Sequence, residues 1–243
     1  MKWLAIDTST LVMGVALVDE NHVLGEVTTN MKKNHSVRLM PMVARLMEEL
    51  ELKVSDLDAV AVASGPGSYT GVRIGVTTAK TIAWSRNIPL IGVSSLAALA
   101  MNGVRFEGMV VPLFNARRDR VYTGGYRFVE GSLKTIYPDS VLPIDQWLKT
   151  LTGKGPILFL GDDVSLFRER IVQALGDQAF FGLPAENISR ASHVGWLGLK
   201  RWREEGKAET VNFAPEYLQL TEAEAKWLAQ NQDGVNQNGS SRS

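Results

Sequence analysis

The segment Asp58–Arg86 constrains the fold more than any other stretch of this 243-residue chain. Leu57–Ala63 is an almost unbroken apolar run of strand length, which is typical of a strand buried on both faces of a sheet. The glycine-rich turn Gly65–Gly71 follows at once, and a stretch rich in alanine and glycine continues from it as a helix. A buried strand, a tight turn and a helix in this order predict an α/β protein.

The spacing of the glycines in this turn bears on nucleotide binding. Backbone amides at a helix N-terminus suit phosphate, but these glycines follow G-x-G-x-x-x-G, one residue longer than the dinucleotide fingerprint. No Lys-Ser or Lys-Thr pair follows, as a P-loop requires. Both named motifs therefore fail, and a tight turn with close packing is favoured over direct phosphate contact, which stays open.

The helix after the turn carries a ridge of small residues. Its members recur every four residues, so they share one helix face with almost no side chain: Gly71, Gly75, Ala79 and Ala83. Another element can approach such a face closely. We predict that this ridge contributes to a four-helix bundle formed by helices of two molecules.

The composition limits the possible classes of protein. An apolar content of 45% with 21% charged residues is ordinary for a soluble globular protein. The formal charge of zero argues against a nucleic-acid binder that acts alone, and the absence of cysteine excludes disulfides, thiolate metal sites and cysteine nucleophiles. Asp7 comes too early for a signal peptide and no apolar run reaches membrane-spanning length, so we predict a cytoplasmic protein without membrane contact.

Hydrophobic patterning predicts two similar halves. The first has the order βββαβαβα, with strands at Lys2–Ile6, Leu11–Val18, Val23–Thr29, 57–63 and Ile88–Val93, and helices at His35–Leu50, after the glycine-rich turn, and from Ser94. The second repeats it loosely, with strands at Met109–Phe114, Arg120–Phe128, Leu133–Leu142 and Ile157–Leu160, and helices at Ile144–Leu151, Asp163–Leu175 and Ser189–Glu205. Fewer helices, and Pro138 in the third strand, indicate an eroded duplication. We predict lobes at residues 1–104 and 105–228, the second degenerate, and a disordered tail at 229–243.

Two such halves, with the turn Asp7–Thr10 between the first two strands, resemble the two-lobed fold of actin, Hsp70 and sugar kinases, which is RNase H-like. In that fold the first hairpin approaches ATP phosphate, typically as Asp-x-Gly-x-Ser/Thr. Here Asp7 and Thr8 are followed by Ser9 where the glycine would stand. The resemblance therefore implies a vestigial phosphate loop at Asp7, Thr8 and Ser9, and no confident cofactor.

Five longer blocks resemble the TsaB (YeaZ) family. They are Ile6–Ser9, His35–Pro41, Gly65–Gly75, Asn115–Tyr122 and Pro215–Leu218, although the family usually has Asp where Asn115 stands. The resemblance implies an accessory protein for threonylcarbamoyl-adenosine, the modified base beside the tRNA anticodon. It also implies pairing with TsaD, a catalytic sister of the same fold, work with the ATPase TsaE, and contact with tRNA only through the complex. The resemblance leaves open whether ATP or ADP binds at a subunit interface.

The residue chemistry predicts that this chain is not itself catalytic. The sister family carries a His-x-x-x-His metal pair on its first helix, whereas here Leu39 follows His35 at that spacing. His35 is therefore interpreted as a helix-start contact, and no metal site is predicted. A peptidase would need a positioned nucleophile and base, and the sequence motifs show no such pair. A small-molecule kinase would need two phosphate loops, and only the vestigial first loop is visible. A purely regulatory homodimer remains a further alternative.

The first helix supplies the prediction of a partner surface. It has two neighbouring apolar stripes, Val37, Met40, Ala44 and Met47 in one, and Leu39, Met42, Val43, Leu46 and Leu50 in the other. One stripe suffices for the core, and a surplus stripe containing methionine suits a protein interface. We predict an interface of His35, Arg38, Leu39, Met42, Val43, Leu46, Gly71, Gly75 and Ala79, shared by the homodimer and the TsaD complex. Leu39→Glu should then weaken both associations.

A basic cluster, Arg117, Arg118 and Arg120, precedes a predicted strand. It offers a contact for tRNA or for a nucleotide from an adjoining subunit. Asp119 dilutes its charge, so a solvated turn is the favoured interpretation.

Overall fold

The computed structural model describes residues 1–32 and 34–218. The first half consists of β1 (Trp3–Asp7), β2 (Val12–Val18), β3 (Val23–Asn30), α1 (His35–Glu49), β4 (Ala59–Gly65), α2 (Tyr69–Arg86), β5 (Leu90–Ser94) and α3 (Ser95–Ala100). The second half consists of β6 (Met109–Asn115), β7 (Arg120–Val129), β8 (Ser132–Pro143), α4 (Ile144–Leu151), β9 (Ile157–Leu160), α5 (Arg168–Leu175), β10 (Ala179–Phe181) and α6 (Ala191–Glu205). Both halves follow the order βββαβαβα.

Each half forms a five-stranded mixed sheet with the same strand order. The first sheet runs β3-β2-β1-β4-β5 and the second runs β8-β7-β6-β9-β10. In each sheet the first three strands are antiparallel and the remaining two are parallel. The predicted α/β class with two related lobes is therefore confirmed.

The second half differs from the sequence prediction in one strand. The structure adds β10, which pairs in parallel with β9 and which the hydrophobic pattern did not reveal, because three residues are too few to show a period. The expectation of fewer helices is wrong, since three α-helices follow the strands of each half in the described ranges. Two helices of the second half, α4 and α5, are short, with eight residues each. Pro138 lies in β8, an edge strand, next to an irregularity in its pairing with β7, and both are places where strands accept proline.

The last helix of each half packs against the sheet of the other half. Helix α3 contacts β6 and β7, and α6 lies across β1, β2 and β4. Two glycines allow this approach, because a Cβ on Gly195 would come within 2.7 Å of Val18 and a Cβ on Gly198 within 2.7 Å of Ala61. The two sheets are thus held together by exchanged helices. The lobe boundary between residues 104 and 105 stays a prediction, and the predicted tail at 229–243 lies outside the described residues.

After α6 the chain returns along the first sheet as a C-terminal segment, residues 206–218. The Glu209 amide donates to the Leu90 carbonyl of the edge strand β5 at 2.8 Å. The Lys80 ammonium of α2 donates to the Phe213 carbonyl at 2.6 Å, and the Glu216 amide donates to the Ser64 carbonyl at 2.8 Å. These bonds carry residues 216–218 to the gap between the two sheets.

In the part of the chain that the structure describes, every helix is too short or too polar to cross a bilayer.

Candidate functional site

A cleft of about 620 Å³ opens between the two sheets. Four segments line it: residues 9–11 between β1 and β2, residues 66–70 of the glycine-rich turn, residues 115–118 between β6 and β7, and residues 216–218. The β1–β2 and β6–β7 turns are equivalent hairpins of the two halves. The duplication therefore places both hairpin turns on one cleft, as in the resembled fold.

The first hairpin is packed tightly against the glycine-rich turn. The Ser68 amide donates to the Ser9 carbonyl at 2.6 Å, and the Ser68 hydroxyl accepts from the Gly71 amide at 3.3 Å as the cap of α2. A Cβ on Gly67 would overlap the Ser9 carbonyl oxygen, so this contact requires glycine. Because the chain's own carbonyl uses the Ser68 amide, the geometry favours the close-packing interpretation over phosphate contact.

Asp7 lies at the carboxyl end of β1 and is almost completely buried. Its Oδ1 accepts from the Ser9 amide at 2.9 Å and from the Ser9 hydroxyl at 2.7 Å. Its Oδ2 lies near the Ser189 hydroxyl without a well-formed hydrogen bond. Burial raises the pKa of Asp7, and the Ser9 hydrogen bonds only partly oppose this. The serine that replaces the expected glycine therefore serves to hold Asp7.

Asp7→Asn should make the protein more stable at neutral pH. The folded pKa of Asp7 lies above its unfolded value, so the wild type loses stability as pH rises from about 4 towards 7. Asparagine keeps the Oδ1 acceptor for Ser9 and can donate to Ser189, without an ionisation cost. Urea unfolding of both proteins from pH ~4 to ~7 should show curves that diverge as pH rises. Asp177→Asn, at an exposed site, is the control, and parallel curves for Asp7→Asn would contradict this role.

The second hairpin presents two arginines to the cleft. Arg117, Arg118 and Asp119 adopt φ angles of 62°, 50° and 56°, which are costly for residues with side chains. Two contacts hold the turn. The side-chain oxygen of Asn115 accepts from the Arg117 amide at 2.8 Å, and Asp119 forms an ion pair of 2.9 Å with Arg170. Arg117 and Arg118 line the cleft. Two of the three arginines in the predicted basic cluster are thus part of the cleft wall.

Arg120 differs from the other two arginines, because its guanidinium donates to the Val141 carbonyl of the neighbouring strand β8 at 3.1 Å. Asn115, which replaces the aspartate usual in the resembled family, uses its side chain to brace the turn. Over residues 1–32 and 34–218, no group of three or more His, Asp or Glu side chains is placed to hold a metal ion.

The C-terminal segment supplies a wall that the sequence patterns did not predict. Tyr217 stacks on Tyr69 with ring centroids 4.8 Å apart, and Arg73 donates to the Tyr69 hydroxyl at 2.6 Å. Gly65 has a φ of 116°, and a Cβ there would come within 2.7 Å of the Glu216 carbonyl oxygen. Burial, and then the charge of Asp139, raise the pKa of Glu216. The only sequence signal for this wall was the block Pro215–Leu218.

His35 is the first residue of α1, and it forms the predicted helix-start contact. Its Nε2 makes a hydrogen bond of 2.9 Å with the Thr10 carbonyl of the β1–β2 turn. The preceding Asn34 caps the helix, because its side-chain oxygen accepts from the Ser36 amide at 3.1 Å. His35 is only 9% exposed, which is incompatible with its predicted place on a partner surface.

The predicted interface stripe on α1 is in fact its core face. Leu39, Val43 and Leu46 are buried in the cluster beneath the first sheet, and Leu39 is only 1% exposed; Met42 and Leu50 pack against the same cluster. The prediction is wrong because the two stripes adjoin on the helix, and composition alone does not tell which one faces the sheet. The surplus surface is the outer face of α1, defined by Val37, Met40 and Ala44, where Val37 is 67% and Met40 48% exposed. Arg38 is half-buried, and it donates to the Thr29 hydroxyl of β3 at 3.0 Å.

The small-residue ridge of α2 also faces inward. Gly71, Gly75 and Ala79 are buried, and a Cβ on Gly75 would collide with the Thr8 hydroxyl and come within 3.6 Å of Val62. The predicted role of these residues in an intermolecular bundle is wrong, because β1 and β4 of the same chain occupy the space above the ridge. The ridge serves to bring α2 close to its own sheet.

Comparison with known proteins extends over most of the chain. The family model described as TsaD, tRNA N6-adenosine threonylcarbamoyltransferase, matches residues 22–227. The tRNA threonylcarbamoyladenosine biosynthesis protein TsaB of Bacillus subtilis is 47% identical over 229 residues, which cover 94% of this chain and 98% of that protein. The crystal structure of YeaZ from Pseudomonas aeruginosa matches with a TM-score of 0.75 at 28% identity, covering 89% of this chain and 99% of that one.

A more distant structure, the activator of the 2-hydroxyisocaproyl-CoA dehydratase from Clostridium difficile with bound ADPNP, has a TM-score of 0.50 at 8% identity. It covers 88% of this chain and 100% of that one, and the likeness concerns the fold alone. Two βββαβαβα halves around a cleft define a protein of the actin-like ATPase and sugar-kinase fold class. The similarity to TsaB and YeaZ over nearly the full length is more specific. The chain belongs to the TsaB (YeaZ) family.

Proposed function

We propose that this chain is a non-catalytic subunit that pairs with a TsaD-type transferase and supports formation of threonylcarbamoyladenosine in tRNA. The observation that carries the proposal is the outer face of α1. Val37 and Met40 are large apolar side chains about one turn apart, and both project from a 15-residue helix without cover from the described residues. An exposed apolar face with a flexible methionine suits a protein partner.

The non-catalytic part of the proposal rests on the α1 start and the cleft. The sister family places a second histidine four residues after the first, and Leu39 occupies that position within the core. One imidazole, already bonded to the Thr10 carbonyl, offers a poor metal site. The Ser68 amide of the glycine-rich turn is engaged by the Ser9 carbonyl of the first hairpin, which disfavours the kinase alternative. We therefore assign the chemistry to the transferase, ATP hydrolysis to a TsaE-type ATPase, and tRNA contact to the complex.

A regulatory homodimer is the second candidate, and it would use the same outer face of α1. In isolation the chain would cover this face with a second copy, because exposed apolar area is unfavourable in water. The two associations would then compete. The amount of chain captured by the transferase should then rise less steeply than the total concentration of the chain, which sedimentation of labelled mixtures can measure.

Met40→Glu should weaken binding to the TsaD-type transferase of the same genome by about 10- to 100-fold, because a charge would enter an apolar contact. Val172→Glu is the matched control, since Val172 on α5 is as exposed as Met40, at 48%. Titration calorimetry gives the affinities, and a reconstituted assay gives the modified tRNA. Wild-type affinity for Met40→Glu would overturn the assigned surface. Product formed by this chain in the absence of the transferase would overturn the non-catalytic role.

A further inference from the structure

The C-terminal segment, residues 206–218, forms one wall of the cleft with little support from the core. None of these described residues lies in a helix or strand, and most of their side chains are exposed, with Val211 at 70% and Tyr217 at 45%. The apolar anchor of the segment is Phe213, which is half-buried and packs against the cluster beneath the first sheet. A segment with little buried apolar surface is the kind that opens locally while the rest of a protein stays folded.

Glu209 fixes the base of the segment to the edge strand β5. Its amide donates to the Leu90 carbonyl at 2.8 Å, and its carboxylate accepts from the Gly92 amide at 3.3 Å and from the Arg201 guanidinium at 3.0 Å. The chain then reverses in a turn over residues 210–213, which is closed by an amide-to-carbonyl bond of 2.9 Å. This turn separates a firmly held base from the residues at the cleft.

Lys80 on α2 holds the turn. Its ammonium donates to the Phe213 carbonyl at 2.6 Å and to the Val211 carbonyl at 3.2 Å, and it lies 4.6 Å from the centre of the Trp84 ring. One side chain thus supplies two charge-assisted hydrogen bonds, which are stronger than bonds between neutral groups. Loss of this ammonium would free the turn and leave the core of the first sheet in place.

The far end of the segment carries the residues that line the cleft. The Glu216 amide donates to the Ser64 carbonyl at 2.8 Å, and Tyr217 stacks on Tyr69, whose side chain is also partly exposed. Leu218 completes this side of the lining. Movement of this end would remove one wall and widen the cleft next to Tyr69.

We propose that residues 210–218 are a strap that opens and closes this side of the cleft while the rest of the protein stays folded. Glu209 is the fixed base of the strap, and Lys80 is its latch. When the latch is closed, Glu216, Tyr217 and Leu218 form the wall. When it is released, the cleft admits a larger occupant along Tyr69. All these contacts lie within one chain, so the strap does not depend on the proposed pairing with a transferase.

Hydrogen exchange of the backbone amides, followed by NMR on the full-length chain, measures this opening. The Glu216 amide should exchange through an opening that costs less free energy than global unfolding and that depends weakly on urea, since little surface is exposed. The amides of the interior strand β4 should exchange by the strongly urea-dependent global route. Equal opening free energies and equal urea dependence for Glu216 and β4 would overturn the strap, because the segment would then open only with the whole fold.

Lys80→Met tests the latch, because it keeps an apolar stem and removes the ammonium. We expect it to speed exchange of the Glu216 amide by about 10-fold or more and to leave the Glu209 amide near its wild-type rate. Lys200→Met is the matched control, since Lys200 is also half-buried and pairs with Glu204 at 3.9 Å within α6. Unchanged exchange at Glu216 in Lys80→Met would overturn the latch. An equal rise at Glu209 and Glu216 would overturn the fixed base and the strap with it.

Discussion

Leu39→Glu should remove a large part of the protein's stability, whereas Met40→Glu, one residue away, should leave it close to that of the wild type. Leu39 is 1% exposed and belongs to the cluster under the first sheet, so the change removes packing and buries a carboxyl group. Together these effects should cost about 4 kcal/mol or more. That is a large part of the 5 to 15 kcal/mol, roughly, that stabilises a typical domain.

Urea unfolding followed by circular dichroism measures this difference directly. The Leu39→Glu transition should move to much lower urea or disappear, and the Met40→Glu transition should stay near that of the wild type. A cooperative transition at the wild-type midpoint for Leu39→Glu would contradict the placement of the core stripe. Because Leu39→Glu acts on folding, its loss of partner binding would carry no information about the interface. Met40 is the position that tests the interface.

Gly67→Ala should be a strongly disruptive single-methyl change at the cleft. The added Cβ would overlap the Ser9 carbonyl oxygen, which is backbone and has no rotamer by which to move away. Relief requires separation of the glycine-rich turn from the β1–β2 turn, with loss of the 2.6 Å bond from the Ser68 amide to Ser9. We expect a loss of about 3 kcal/mol of stability, from overpacking together with the broken hydrogen bond.

Gly153→Ala is the control for this prediction. Gly153 has a φ of 75° and no heavy atom within 4 Å of an added Cβ, so alanine there meets backbone strain alone. That strain costs about 1 to 2 kcal/mol. Thermal unfolding compares the two variants. A smaller loss for Gly67→Ala than for Gly153→Ala would show that the two turns are not locked together.

The contact between these two turns changes one feature of the actin-like fold, the approach of the first hairpin to a phosphate. In the actin-like fold the first hairpin approaches a phosphate, and here the Ser68 amide instead serves the Ser9 carbonyl. The cleft remains, with Arg117 and Arg118 on one wall and the stacked pair Tyr69 and Tyr217 on another. The exposed apolar side chains Val37 and Met40 do not line this cleft and lie on the outer face of α1. In the proposed function this face, and not the cleft, meets the partner.

Local sequence patterns predicted the fold class and most of the elements. The strand–turn–helix segment around Gly65–Gly71, the βββαβαβα order and the helix cap at Asn34 depend on local periodicity and turn chemistry, which act between neighbours in the chain. The bounds of α4 and β9 agree with those predicted, at Ile144–Leu151 and Ile157–Leu160. The five sequence blocks that resemble the TsaB (YeaZ) family were likewise recognisable from the sequence.

Which apolar surfaces face inward depends on how the helices and sheets pack together, and the sequence patterns did not predict it. Both stripes of α1 are apolar in sequence, and packing against β2 and β3 placed Leu39, Val43 and Leu46 in the core and left Val37 and Met40 outside. The prediction that the small-residue ridge of α2 makes a close contact is correct. The prediction that this contact is intermolecular is wrong, because β1 and β4 of the same chain pack against the ridge. The cleft wall at Glu216 and Tyr217 joins residues far apart in the chain. Hydrophobic periodicity shows which face of a segment can be buried. The element that covers this face is determined by the packing of all segments together.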